Sequence, residues 1–154
     1  MTRGKKALPQ QLIGWREWIG LPELGVAGMK AKIDTGARTS AIHAWNIVTQ
    51  EEADGLWASF DLHPAQRNNM LVISCRSRVH DVRKIRSSNG QVESRVIIRT
   101  RLQLGDTAWP IDISLTNRDA MGFRLLLGRA ALRKHVRIDP GRSFLIPRPA
   151  DFKT

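Results

Sequence analysis

Alternation is what most limits the folds open to this chain. From Val92 to Leu104 apolar and polar residues interchange almost without a break, and after Gly105 and Asp106 the pattern returns over residues 108–115. A period of two puts successive side chains on opposite faces of a strand, so the two segments predict long antiparallel strands joined by a tight turn. A second turn signal, Ser87-Ser88-Asn89-Gly90, separates Val92 from the alternating segment 79–85. Asn-Gly suits a hairpin because both residues tolerate positive φ. Long β arms with a polar tip can serve as a flap over a site.

The rest of the chain fits the same class. Residues 12–19, 29–33, 39–45 and 56–62 read as further strands, and Gln50-Glu51-Glu52-Ala53-Asp54 reads as a helical turn. The apolar residues 123–127 predict a strand that runs through Gly128 into a short helix over residues 129–135, closed before Val136. Many short strands with one short C-terminal helix predict an all-β fold, a closed barrel or a sandwich. The 154 residues suffice for one domain with a real core. That domain is expected over residues 11–147, with loosely held ends at 1–10 and 148–154.

Charge narrows the partners more than the fold. Lys and Arg number 25 against 14 Asp and Glu, a net +11, which attracts polyanions: nucleic acid, ribosomes, anionic membrane surfaces or acidic peptides. The basic residues are dispersed, so solubility alone is the plainer reading. No stretch approaches the roughly 18 apolar residues of a membrane-spanning helix, and the first residues lack the apolar core of an export signal. A cytoplasmic protein without a membrane partner is expected. Cys75 lies in the apolar run 70–75 and is expected to be a buried, inert thiol. Trp15, Trp18, Trp45, Trp57 and Trp109 fall in strand-like segments, where core anchors are expected before a base-stacking platform.

The candidate chemistry starts at Asp34-Thr35-Gly36-Ala37, between the strand ending at Ile33 and the next one. A tight loop presents the carboxylate, Gly36 lets backbone and substrate approach closely, and Thr35 can hydrogen-bond across a symmetric partner loop. Taken alone, the tripeptide is only a turn. Asp112 sits in an apolar frame without a Thr-Gly behind it, so it is not nominated as a second acid. His43, His63, His80 and His135 are too scattered to suggest a zinc shell. Residues 25–30 lack the spacing that lets backbone amides wrap a triphosphate. No metal and no cofactor is expected.

Three features occur in a recognisable order: Ile33-Asp34-Thr35-Gly36-Ala37, a flap-like hairpin some fifty residues later, and Leu126-Leu127-Gly128-Arg129 near the C-terminus. This order resembles retroviral-type aspartic proteases. More closely, residues 32–41, Ser87-Ser88-Asn89-Gly90, residues 114–118 and Met121-Gly122-Phe123 resemble the RimB-like family, labelled ATP-dependent zinc protease and partnered with the RimK-type glutamate ligase. The resemblance spans about Ile13 to Leu145, and the residues support neither the zinc nor the ATP in that label.

The resemblance implies a closed retropepsin-like barrel and a hydrolase of the aspartic class, not a zinc enzyme. Asp34, Thr35 and Gly36 would be catalytic. Ala37, Arg38, Thr39 and Ser40, with Ser87, Ser88, Asn89 and Gly90 at the flap tip, would contact substrate. Leu127, Gly128 and Arg129 would support the site. One chain supplies one Asp-Thr-Gly loop where the chemistry needs two, so the chain's partner would be a second copy of itself. Two Asp34 carboxylates facing each other cannot both be ionised and would share one proton. The implied substrate is an acidic or glutamylated protein, and the implied reaction is trimming of the glutamate tail that the ligase adds to a ribosomal protein.

The retroviral loop continues with acidic residues, whereas here Arg38, Thr39 and Ser40 follow. A cation beside the dyad would favour an acidic substrate side chain. Alternatively Arg38 pairs with a structural acid such as Asp139 or Asp119. In the retroviral pattern the Arg after Leu-Leu-Gly pairs with the acid that Arg38 replaces, so Arg129 needs another partner. Two readings compete with the peptidase. One is a basic β-barrel that binds RNA or the ribosome through strand-borne Arg95, Arg99 and Arg101, without catalysis. The other is a protease-fold interaction module whose dyad never assembles.

Overall fold

The computed structural model describes residues 10–65, 70–86, 90–117 and 122–148. The ends expected to be loosely held therefore lie almost wholly outside the described residues, as do Ser87, Ser88 and Asn89 of the expected flap tip. Among the described residues, besides a 3-10 turn at Pro22–Leu24, eleven strands and one α-helical turn follow in order. They are β1 (Gln11–Ile13), β2 (Arg16–Leu21), β3 (Val26–Asp34), β4 (Ser40–His43), β5 (Trp45–Glu52), β6 (Gly55–Leu62), β7 (Ile73–Arg86), β8 (Val92–Leu104), β9 (Thr107–Thr116), β10 (Leu125–Gly128), α1 (Arg129–Leu132) and β11 (Val136–Ile138).

Nine strands form one sheet in the order β2-β3-β10-β4-β9-β8-β7-β6-β5. The sheet turns back on itself where Gly20 of β2 meets Gln103 of β8, so β2, β3, β10, β4, β9 and β8 make a ring of paired strands. The strands come close at that meeting point: a Cβ on Gly20 would lie 3.1 Å from the Ala27 carbonyl oxygen and 3.3 Å from the Gln103 Cβ, a tight fit. Inside the ring lie Ile19, Met29, Ile42, Leu102, Ile113 and Leu125, all buried. Their partners in alternation, among them Lys30 and Lys32 on β3, face outward, as a half-buried strand requires. This is the expected all-β class with one short helix.

Strand expectations held best where alternation is longest. β7 and β8 form the expected hairpin, with Arg86 opposite Val92, and β8 and β9 pair from Ile97–Ser114 to Leu104–Thr107. The helical turn expected over residues 50–54 is not present. Residues 50–52 continue β5, whose Glu52 pairs with Gly55 of β6. The turn between them closes on Gly55 at φ +131°, a conformation that favours glycine. The helix expected to reach residue 135 ends at Leu132, and Lys134 adopts a left-handed φ of +73°.

The strand expected over residues 12–19 is broken at Gly14 and Trp15. Arg142 comes too close there to admit any side chain on Gly14, whose Cβ would lie 2.2 Å from the Arg142 carbonyl oxygen. Behind the break sits Glu17, fully buried. Its Oε2 accepts hydrogen bonds from the Gly14 and Leu145 amides, at 2.6 and 2.9 Å, and its Oε1 from the Ile146 amide at 2.9 Å. Three amides around one carboxylate satisfy a charge that would otherwise be costly to bury. They tie the segment after β11 to the start of β2.

Candidate active site

The Asp34 loop is set by two consecutive strands and a third that joins them from far along the chain. β10 lies between β3 and β4, parallel to the first and antiparallel to the second, and Gly128 falls opposite Asp34. Residues 35–39 therefore cross from β3 to β4 over the end of β10. The Arg129 and Ala130 amides, at the start of α1, donate to the Ala37 and Arg38 carbonyls at 2.8 and 3.0 Å. A Cβ on Gly128 would meet the Thr39 carbonyl oxygen at 2.6 Å, so only glycine lets the loop pass this close. The Gly128 amide donates to Ser40 Oγ at 3.0 Å, and Ser114 Oγ donates to the Ser40 carbonyl at 3.2 Å.

Within the loop, Asp34 Oδ1 accepts the Gly36 amide at 3.0 Å, and the Ala37 amide donates to the Asp34 carbonyl at 3.3 Å. Asp34 is half-buried, while Thr35 and Gly36 are exposed. The carboxylate is thus held by its own loop and stays partly open to solvent. Arg129 has the partner that the sequence left open: its Nη1 donates to the carbonyls of Thr35 and Gly36, both at 3.3 Å. It braces the loop from outside.

Beside the loop lies an open groove of about 690 Å³, bordered by Arg38, Thr39 and Ser40, by Arg83 and Arg99 of the hairpin strands, by Pro110, Ile111 and Asp112 of β9, and by Ala130 and Ala131. Arg38 is exposed, and no carboxylate among the described residues pairs with it. Asp139, one acid considered for that role, instead accepts the Gly141 amide at 3.0 Å; Asp119 lies outside the described residues. Asp112 pairs with Arg99, at 2.8 Å to Nε and 3.3 Å to Nη2. That pairing holds the Asp112 carboxyl below its usual range against the opposing effect of partial burial, with smaller help from His80 and Arg83.

The structure brings Asp34, Thr35, Gly36, Ala37, Arg38, Thr39 and Ser40 together with Leu127, Gly128 and Arg129. Gly90, at φ +83°, closes the hairpin far along β7 and β8, and Ser87, Ser88 and Asn89 lie outside the described residues. Ser40 borders the groove, but its hydroxyl is engaged by Gly128 from below, and the residue is buried. Arg83 and Asp112 join the groove without having been singled out for it. Their signal was the outward position in alternating strands, which places a side chain on a face but does not say what lies across it. Of the basic row Arg95, Arg99 and Arg101, two members are engaged by acids, Glu93 at 2.6 Å and Asp112 at 2.8 Å.

Two groups outside the site bear on earlier expectations. Cys75 is buried and free, and its thiol donates to the Leu24 carbonyl at 3.5 Å. Burial, helped by the nearby Asp61 charge, pushes it up to about 11, so it is protonated and inert near neutrality. Of the tryptophans only Trp109 is a core anchor, donating from Nε1 to the Ala131 carbonyl at 2.8 Å. Trp15, Trp18 and Trp57 are half-buried under cations instead; Arg16 stands 4.6 Å over Trp15 and Arg76 4.1 Å over Trp57. Long basic side chains cover part of an outward-facing ring while keeping their charge in water.

An Asp-Thr-Gly loop crossing a strand seam at the edge of a ring-like β-sheet, with a long hairpin beside it, defines a retropepsin-like protein. The chain belongs to the RimB-like family, described as retropepsin-like aspartic endopeptidase RimB, whose model matches residues 12–149. Curated relatives carry another name. A probable alpha-L-glutamate ligase of Shewanella halifaxensis is 46% identical over 140 residues, which are 91% of this chain and 31% of that protein. One of Desulfotalea psychrophila is 45% identical over 133 residues, 86% of this chain and 29% of that protein. The chain thus spans about a third of the length of these relatives. A solved Legionella pneumophila protein of unknown function superposes with a TM-score of 0.75 at 26% identity, covering 89% of this chain and 98% of the other.

Proposed function

We propose that this chain is an aspartic peptidase that works as a homodimer in the cytoplasm and trims glutamate tails from a protein substrate, a ribosomal protein being the one implied by the family resemblance. The observation that carries the reading is the Asp34 loop: a carboxylate fixed by its own Gly36 amide, partly open to solvent, on a loop held through its backbone by the start of α1. A single chain holds half of such a site.

In the pair, the two Asp34 carboxylates share one proton. The ionised one takes a proton from a water held between them as the water oxygen bonds to the peptide carbonyl carbon. The protonated one gives its proton to the carbonyl oxygen. Collapse of the tetrahedral adduct breaks the C–N bond: the leaving nitrogen takes the proton held by one Asp34 while a hydroxyl of the adduct gives its proton to the other, which restores the singly protonated dyad. No covalent intermediate with the protein forms. Support for an acidic substrate comes from the net +11, from Arg38, four residues after Asp34 and without an acidic partner among the described residues, and from relatives named as glutamate ligases. A hydrolase that reverses the ligase's product is the natural companion of such a chain.

The test is digestion of a protein bearing a C-terminal oligoglutamate tail, followed by intact mass, with wild type beside Asp34→Asn. Stepwise glutamate loss by wild type alone, with turnover in the variant lower by about a thousandfold or more, is expected, since an amide neither shares the proton nor activates water. Equal loss in both proteins would end the aspartic mechanism. No loss in either would shift the reading to a basic binding module, to be sought with RNA or ribosomes.

A further inference from the structure

Three guanidinium groups border the groove beside the Asp34 loop, and they are not equivalent. Arg83 pairs along its own strand with Asp81 at 2.8 Å. Arg99 is held across the β8–β9 pairing by Asp112, with His80 3.9 Å from the same carboxylate. Arg38 has no acidic partner among the described residues. The floor between them is apolar, formed by buried Ile111 and Ala131 with Pro110 at the rim. A partly exposed ion pair on such a rim exchanges one carboxylate for another readily, because neither partner is sealed from water.

We propose that Arg83 and Arg99, together with Arg38, form a subsite that reads the carboxylate side chains of substrate residues flanking the bond to be cut, and that Asp112 is its built-in competitor. The inference rests on the peptidase reading above. An extended peptide turns alternate side chains to one face about 7 Å apart, so a run of acidic residues presents several carboxylates to the row at once. A single acidic residue must displace Asp112 from Arg99 alone. A run displaces it while already held at Arg38, so the second contact forms at a high effective concentration. Asp112 thereby rejects the isolated acids common on protein surfaces, a repulsive element that sets specificity alongside the attractive ones.

Binding and cleavage are separable here. Hexaglutamate and hexaglutamine peptides are titrated by calorimetry into the full chain carrying Asp34→Asn, alone and combined with Arg99→Gln or Asp112→Asn. Arg99→Gln should weaken hexaglutamate binding about tenfold, and Asp112→Asn should tighten it about threefold, by removing the competitor. Hexaglutamine should be insensitive to both. Effects of opposite sign from the two halves of one ion pair cannot come from a folding defect, which would weaken both. Equal weakening, changes within twofold, or no hexaglutamate binding in the parent overturns the subsite. Cleavage is measured in the Asp34 background. Cleavage that keeps its KM in Arg99→Gln removes the subsite and leaves the peptidase, while the expected binding pattern without cleavage does the reverse.

Discussion

The 34–39 loop and the β7–β8 hairpin flank the same groove but are held in opposite ways. The loop is short and rests on backbone contacts from β10 and α1, with Gly128 pressed against it so closely that no side chain fits between. The outer hairpin pairs mainly with itself, Asp81–Arg86 against Val92–Ile97, and Val82 and Val92 remain 49% and 53% exposed. A reactive carboxylate has to be placed within a fraction of an ångström, which demands an over-determined loop. On the peptidase reading, a strand pair beside the groove has to admit and release a chain, which demands few contacts to break. That reading therefore expects one fixed wall and one adaptable wall around the same groove.

Apart from Asp34 itself, the variant expected to disturb this contrast most is Gly128→Ala. Its methyl group would press into the Thr39 carbonyl from a rigid strand, which costs about 3 kcal/mol and should lower the thermal midpoint visibly while abolishing turnover. A midpoint unchanged from wild type would mean that the loop is not braced at that contact. Arg129→Gln comes next. It removes two donors from the outside of the loop but leaves the seam beneath intact, so stability should move by no more than about 0.5 kcal/mol while kcat falls about tenfold with KM nearly constant. A rise in KM alone would make Arg129 a substrate contact rather than a brace. The smallest effect belongs to the hairpin: Val82→Ser should shift stability by less than about 0.5 kcal/mol and alter KM without altering kcat. Should it unfold the protein or reduce kcat, the hairpin is not the adaptable wall.

Much of this arrangement was legible along the chain, and where it was not, the reason is physical. Long alternation located β7, β8 and β9, because face-switching with period two is a property of neighbouring residues. The Asp34 loop was legible for the same reason, since its turn residues and flanking strands are contiguous. Residues 50–54 misled because a polar, charged pentapeptide fits a helical turn as well as an exposed edge strand, and pairing with β6 decided between them. The five tryptophans misled in part because cation cover cannot be read from a strand pattern. Glu17 gave no signal at all: its amide partners lie at Gly14 and, more than a hundred residues away, at Leu145 and Ile146.

By itself, the sequence determined most of the long strands, that the chain is mostly β with one short helix near its C-terminal end, and that one carboxylate is presented on an Asp-Thr-Gly turn. Those properties follow from local steric and burial preferences, which each stretch of chain carries with it. Only the tertiary structure decided that β10 enters between β3 and β4, that Arg129 turns to the loop carbonyls, and that Asp112 meets Arg99 rather than Arg38. Each of these depends on the register between strands distant in sequence. Register follows from how the whole sheet buries its inner face and closes on itself, and no single segment specifies it.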